Sequence, residues 1–269
     1  MYQLEVALSY SYLEFTEELA MQWMKAGIRK VELALNCLPV EFNDKEFVNR
    51  IDQCNEIQNK CGIEIVSVHL PYGPEWELCS CDDQIRSKAM RSYIKTIQYA
   101  NRLHPKRYIL HPGYPNVPEQ ERSMRMQNFR YNVSILSAVA GFAKIAVENM
   151  AFDCLGNTSA ELINLVDGLD NVCVCSDMNH WLQEKNYDAI RKLGSRIEAV
   201  HISDYDEIQE KHWLPGDGVS DWNKILDALC FIGYNGPFLY ECVGTAEELV
   251  KNKEMLFNAF YQSKLEDAL

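Results

Sequence analysis

The chain has 269 residues, 47% of them hydrophobic and 24% charged, and its 26 Lys and Arg against 39 Asp and Glu give a net charge of −13. That length can bury one large core and matches the usual size of a single α/β barrel, and the composition excludes a disordered chain. An acidic field of this strength repels polyanions, so nucleic-acid binding would require a local basic face able to overcome it.

From the N-terminus, Met1 to Phe15 carries no basic residue before an apolar stretch and no small-residue cleavage site, so no secretory leader is expected. The longest apolar stretch, Ser134 to Val147, is interrupted by Lys144 and is too short to cross a bilayer. The 10 cysteines are therefore read as reduced, mostly small core residues of a cytoplasmic protein. The pairs Cys79/Cys81 and Cys173/Cys175 have C-x-C spacing, not the C-x-x-C of most zinc sites, and Cys173 and Cys175 share one face of a predicted strand.

Short runs rich in Val, Ile and Leu occur at Leu4–Ser9, Val31–Leu35, Ile63–His69, Arg107–His111, Lys144–Glu148, Val172–Asp177, Ile197–Ser203 and Phe238–Cys242. Each suits a buried parallel strand. Helical patterns separate them, at Thr16–Ala26, Asn43–Cys61, Ser80–Leu103, Pro118–Ala140, Ser159–Asp167, Tyr187–Leu193, Asp221–Phe231 and Ala246–Gln262. Thr16 and Ser80, each followed by acidic residues, read as N-caps, while Gly27, Gly62 and Gly233 follow helices where a left-handed residue is wanted. Strictly alternating strands and helices without a Gly/Pro/Ser-rich linker predict one (β/α)₈ TIM barrel over residues 1–269. A doubly wound sheet would announce itself with a Gly-rich phosphate loop after the first strand, and none is present.

Many of these strands are apolar inside and end in a residue able to bind metal or move protons. His69 ends the third in V-S-V-H, His111 the fourth in I-L-H-P, Glu148 the fifth in A-V-E-N, and Asp177 the sixth in C-S-D-M-N-H. His201 lies near the end of the seventh in A-V-H-I-S-D, and Glu241 ends the eighth in L-Y-E-C. In a barrel these positions converge on one mouth. Carboxylates crowded there repel one another, and a divalent cation neutralises them. Glu148, Asp177, His201 and Glu241 form an oxygen-rich donor set that suits Mn²⁺, Mg²⁺ or Co²⁺ at least as well as Zn²⁺. His69, His111, His180 and His212 could build nitrogen-rich positions for further ions. Trp181 and Trp213 flank the candidate ligands and are read as walls of a substrate pocket, with Asp217 of the Pro215-Gly216-Asp217-Gly218 turn. Glu32 could face the lumen and orient a pocket group. The basic cluster Arg122/Arg125/Arg130 reads as a solvated helix face, and His104, before Pro105, as a helix C-cap.

These motifs resemble the xylose-isomerase-like TIM-barrel superfamily, which holds ketose 3-epimerases, inosose dehydratases, hydroxypyruvate isomerases and the endonuclease IV type of abasic-site nuclease. The resemblance covers nearly the whole chain and is most specific in V-E-N, S-D-M-N-H, A-V-H-I-S-D, H-W-L-P-G-D-G and I-G-Y-N-G-P-F-L-Y-E. It implies that Glu148, Asp177, His201 and Glu241 bind a divalent metal and that Glu148 and Glu241 exchange a proton beside a carbonyl through an enediolate. It further implies that His180 contacts a substrate oxygen. The nuclease branch adds histidines matched here by His69, His111 and His180, and an Asp-x-His that this chain replaces with Glu210-Lys211-His212. The acidic charge and the loop H-W-L-P-G-D-G-V-S-D-W favour a small carbohydrate or polyol substrate over nucleic acid. Isomerisation or epimerisation is thus the first reading and phosphoester hydrolysis the second. The resemblance also leaves room for a homo-oligomer.

Overall fold

The structure, a computed structural model, describes residues 2–266. Eight parallel strands close into a barrel in sequence order. They are β1 (Val6–Ser11), β2 (Lys30–Ala34), β3 (Glu64–His69), β4 (Arg107–Leu110), β5 (Lys144–Glu148), β6 (Val172–Asp177), β7 (Ile197–Ile202) and β8 (Phe238–Tyr240). The intervening helices are α1 (Glu17–Ala26), α2 (Asp44–Cys61), α3 (Asp83–Ala100), α4 (Glu119–Ala140), α5 (Ser159–Val166), α6 (Asn186–Leu193), α7 (Trp222–Phe231) and α8 (Ala246–Glu266). No described helix is long and apolar enough to cross a membrane.

Local chemistry sets the helix ends. Thr16 caps α1 by accepting from the Leu19 amide, and Gly27, at φ 94°, closes it in the left-handed conformation. Gly62 and Gly233 take positive φ as expected. At α3 the sequence reading was early: Asp82, not Ser80, is the N-cap, accepting from Gln84 and Ile85, while Ser80 accepts from Asp82 in the preceding turn. Among the strands β2, β3, β4 and β7 differ from their runs by one residue, and β1 and β8 by two. β1 begins and ends two residues later than its apolar run, because its pairing with β2 spans Ala7–Ser11. β8 stops at Tyr240, so Glu241 leaves the ladder at the mouth.

The lumen is packed with small and branched side chains. Ile109, Ala146, Cys173 and Cys175 form one inner cluster and Ala7, Val66 and Leu239 another. All 10 cysteines are free, and Cys173 and Cys175 are core residues as expected. At the strand starts, Arg107 and Lys144 pair with Glu198. Since β4 and β7 are not neighbours, the Arg107–Glu198 pair spans the lumen and closes its lower end. The opposite end, where strands finish, is left to the polar residues.

Candidate functional site

Register brings the strand-end residues together. Glu148 pairs with Cys175 across β5 and β6, and Asp177 pairs with His201 across β6 and β7. Glu32, His69, Glu148, Asp177, His180 and His201 are all buried, whereas the Glu241 side chain is 24% exposed at the opening. Candidate ligand atoms of Glu148, Asp177, His201 and Glu241 lie within 4.8 Å of one another. His201 Nδ1 sits 3.0 Å from Glu148 Oε1 and 2.9 Å from Glu241 Oε2.

The other face of His201 explains Glu32. His201 Nε2 lies 3.2 Å from Glu32 Oε1, and Ser67 donates to Glu32 Oε2 at 2.6 Å. A proton held on Nε2 by that carboxylate leaves the Nδ1 lone pair facing the acidic cluster, the arrangement in which an outer carboxylate orients a metal-binding imidazole. The ladder between β2 and β3 shifts register at Val31/Glu32, and such an irregularity re-aims a side chain beside a site.

The remaining histidines follow the same logic with backbone partners. His69 Nδ1 faces the Leu70 carbonyl at 2.9 Å, His180 Nδ1 the Asn149 carbonyl at 2.8 Å, and His212 Nδ1 the Glu241 carbonyl at 2.9 Å. A carbonyl can only accept, so each Nδ1 carries a hydrogen and each Nε2 is available in the neutral ring. His69 and His111 place Nε2 3.2 and 3.3 Å from Glu148 Oε2. His180, Glu210 and His212 form a second candidate ligand group beside them.

The electrostatics are those of a crowded, desolvated anion cluster. Burial raises the Asp177 carboxyl to about 6, helped by Glu241 and Glu148. Burial opposes charge on Glu148 and Glu241 as well, but His201 holds both below the usual carboxylate range, Glu241 at about 2. Burial disfavours protonated His69 and His180, yet surrounding carboxylates, Glu148 and Asp177 foremost, hold both at about 9. His111 goes the other way, lowered by burial.

Two buried oxygens test whether a cation fits. Glu148 Oε2 and Asp177 Oδ2 accept no hydrogen bond. Orphaned carboxylate oxygens are costly unless something positive meets them, and the imidazole nitrogens they face become donors to a cation once their protons leave. The donor set fits a divalent ion.

Two asparagines missed by the sequence reading hold this geometry. Asn149 accepts from the Asp177 amide at 2.6 Å and donates to its carbonyl at 3.0 Å, locking the ends of β5 and β6 together. Asn179 donates its amide to Asp177 Oδ1 at 2.7 Å and accepts from Lys211. The signal was an asparagine one or two positions after a strand-end acid, in E-N and D-M-N.

The cleft above the cluster has a volume of about 180 Å³, small beside the roughly 300–1,000 Å³ of sites for drug-sized ligands. Its walls include Tyr72, Tyr114 and Met150, none of which the sequence reading selected. The three expected pocket residues lie elsewhere. Trp181 is buried beneath the site, its indole donating to Ser176. Trp213 and Asp217 are exposed on the loop after β7 and do not line the cleft. That loop is organised around buried Asp204, which accepts from the amides of Tyr205, Gly216 and Ser220 and from the Trp222 indole. A Cβ on Gly218 would stand 2.3 Å from Asp204 Oδ1, so only glycine lets the chain pass there. The arginines of α4 are not a solvated face: Arg122 pairs with Glu161, Arg125 with Glu77 and Glu121, and Arg130 caps carbonyls of Asn164 and Asp167. His104 takes the left-handed C-cap conformation.

Residues 23–258 match the family model described as xylose isomerase-like TIM barrel. The uncharacterized protein MJ1311 of Methanocaldococcus jannaschii is 27% identical over 75% of this chain and 71% of its own length. The L-ribulose-5-phosphate 3-epimerase UlaE of Salmonella typhi is 25% identical over 67% of this chain and 65% of its own length. Among solved structures, a D-tagatose 3-epimerase-like protein superposes with a TM-score of 0.81 at 22% identity, covering 99% of this chain and 100% of the other. D-psicose 3-epimerase from Clostridium cellulolyticum H10 does so with 0.76 at 20% identity, over 96% and 99%. At such identities these superpositions establish the fold.

Proposed function

The chain belongs to the xylose isomerase-like TIM barrel family, and from that premise we propose that it is a divalent-metal-dependent sugar epimerase or isomerase. The observation that carries this reading is the buried convergence of Glu148, Asp177, His201 and Glu241, with oxygens of Glu148 and Asp177 left unpartnered. The epimerase relatives support the same class.

Glu148, Asp177, His201 and Glu241 would hold the ion, and Mn²⁺, Mg²⁺, Co²⁺ and Zn²⁺ all suit that set. When bound, the ion would polarise the substrate carbonyl and offset the charge that develops on its oxygen. Glu148 and Glu241 approach His201 Nδ1 from β5 and β8, three strands apart around the barrel, and so flank whatever binds between them. One carboxylate removes the proton from the carbon beside the carbonyl, leaving an enediolate. The other must enter the step protonated in the substrate complex; it delivers that proton to the opposite face, and exchange with solvent afterwards removes the proton from the first and restores one to the second. His180, with Nδ1 fixed by Asn149, presents Nε2 to a substrate oxygen. Tyr72 and Tyr114 at the rim limit water around the reacting carbon.

Incubating the Mn²⁺-loaded protein with ketoses in heavy water should place deuterium at the reacting carbon. Absence of exchange across a broad panel of free and phosphorylated ketoses would sink the proposal.

A second reading, metal-dependent phosphoester hydrolysis, has its own observation. His69 and His111 converge on Glu148, and His180, Glu210 and His212 form a separate ligand group, giving room for more than one ion. It predicts two or more tightly held ions per chain by elemental analysis and cleavage of a phosphodiester. One ion and no cleavage would remove it.

A further inference from the structure

Resting on the epimerase reading, we propose that this cleft takes an uncharged sugar or polyol and rejects its phosphate ester.

In a barrel, phosphate is held by backbone amides of the loops after the seventh and eighth strands, with a helix N-terminus behind them. Here side chains of the chain itself already take several of those donors. After β7, Asp204 occupies the amides of Tyr205, Gly216 and Ser220 and the Trp222 indole. After β8, Glu248 accepts from both the amide and the hydroxyl of Thr245, and the Thr245 hydroxyl in turn accepts from the Glu248 amide. Each loop thus turns a carboxylate of its own onto amides that could otherwise meet an anion.

Side-chain charge points the same way. Among the described residues no Lys or Arg lines the cleft, whereas Glu148, Glu210 and Glu241 do. Lys211, next to Glu210, is turned onto the Trp213 ring and lies 3.5 Å from Asp206. On α4, Arg122 and Arg125 are committed to Glu161, Glu77 and Glu121, and Arg130 to the carbonyls of Asn164 and Asp167. A divalent ion on the central set faces three carboxylates, Glu148, Asp177 and Glu241, so its charge is already more than matched before a dianion arrives. What the walls do offer is ring and thioether surface: Tyr114, Met150 and Tyr72, the last stacked on His111 at 4.4 Å. Such faces suit the C–H side of a sugar, and the histidine and glutamate edges suit its hydroxyls.

The test is calorimetric titration of Mn²⁺-loaded protein with free ketopentoses, ketohexoses and pentitols and with their terminal phosphates, alongside deuterium exchange on the same compounds. Each free compound should bind more tightly than its ester by roughly a hundredfold, the scale of a like-charge juxtaposition, and inorganic phosphate should not compete. A phosphate ester that binds as well as its free sugar overturns the inference while leaving the proton-transfer chemistry standing. Preferential binding of free sugars without exchange supports the inference and sinks the epimerase reading. Binding of neither class overturns it.

Discussion

Two buried carboxylate assemblies sit side by side at the mouth, and they are built oppositely. Asp204 is fully buried and fully satisfied: four donors converge on it, and despite burial they hold its carboxyl below the ordinary range. Glu148 and Asp177 are equally buried, yet each keeps an oxygen that accepts no hydrogen bond. A satisfied buried anion organises a loop; an unsatisfied one waits for a ligand. The unmet valence, more than burial or acidity, separates the candidate functional carboxylates from the structural one.

The sharpest way to break this distinction is to neutralise one member of each assembly. Glu148→Gln should cut deuterium exchange by about 10³-fold, within the range for loss of a positioned acid or base. Asp204→Ala should instead cost about 3 kcal/mol of stability by urea unfolding, because three amides and an indole lose their acceptor. That contribution belongs to a carboxylate with a depressed pKa. It is present above the unfolded value near 3.9 and lost as pH falls through the lower folded value, so Asp204→Ala should destabilise least in strong acid. If Asp204→Ala abolished exchange while leaving stability unchanged, the assignment of roles would be inverted.

A third substitution asks how far the functional assembly extends. Glu32 touches no expected metal atom; it acts through His201 Nε2. Glu32→Gln should weaken metal affinity by about 10- to 100-fold, the usual effect of losing an outer partner of a metal-binding histidine. Affinity equal to the unsubstituted protein would place Glu32 outside the site.

How much of this could be read from sequence follows the same division. The barrel was legible because period and length of the apolar runs are local properties. The candidate ligands stood out because a chemically active residue closing an apolar strand violates the pattern around it, as Glu148 and Asp177 do. Trp181 was misread because proximity to a ligand in sequence says nothing about which way the chain turns, and its indole goes under the site to Ser176. Asp204 had no local signature, and Asn149 had only its place directly after Glu148. Their roles consist of hydrogen bonds to backbone that folding alone brings near, from Gly216 and Ser220 for one and from β6 for the other. Tyr72 and Tyr114 came from loops whose patterns carry no period to read.

The smallest expected effect tests whether the histidines belong to the unsatisfied assembly. In the metal-free protein His69 and His180 hold protons up to about pH 9, against carboxylates that each keep one oxygen without a hydrogen bond. A raised folded pKa contributes stability that is complete below the unfolded value near 6.5 and is lost as pH rises through about 9. A cation needs those imidazoles neutral, so its binding must displace the protons and grows stronger over the same interval. The Tm gap between Mn²⁺-loaded and metal-free protein should therefore widen from pH 6 to pH 9. Calorimetry in buffers of differing ionisation enthalpy should register proton release on binding at pH 7. His69→Gln and His180→Gln should each flatten that widening by a few degrees or less, since each removes one coupled proton among several. A gap that stays constant with pH would mean that neither ring competes with a cation, and would return both histidines to the satisfied class that Asp204 represents.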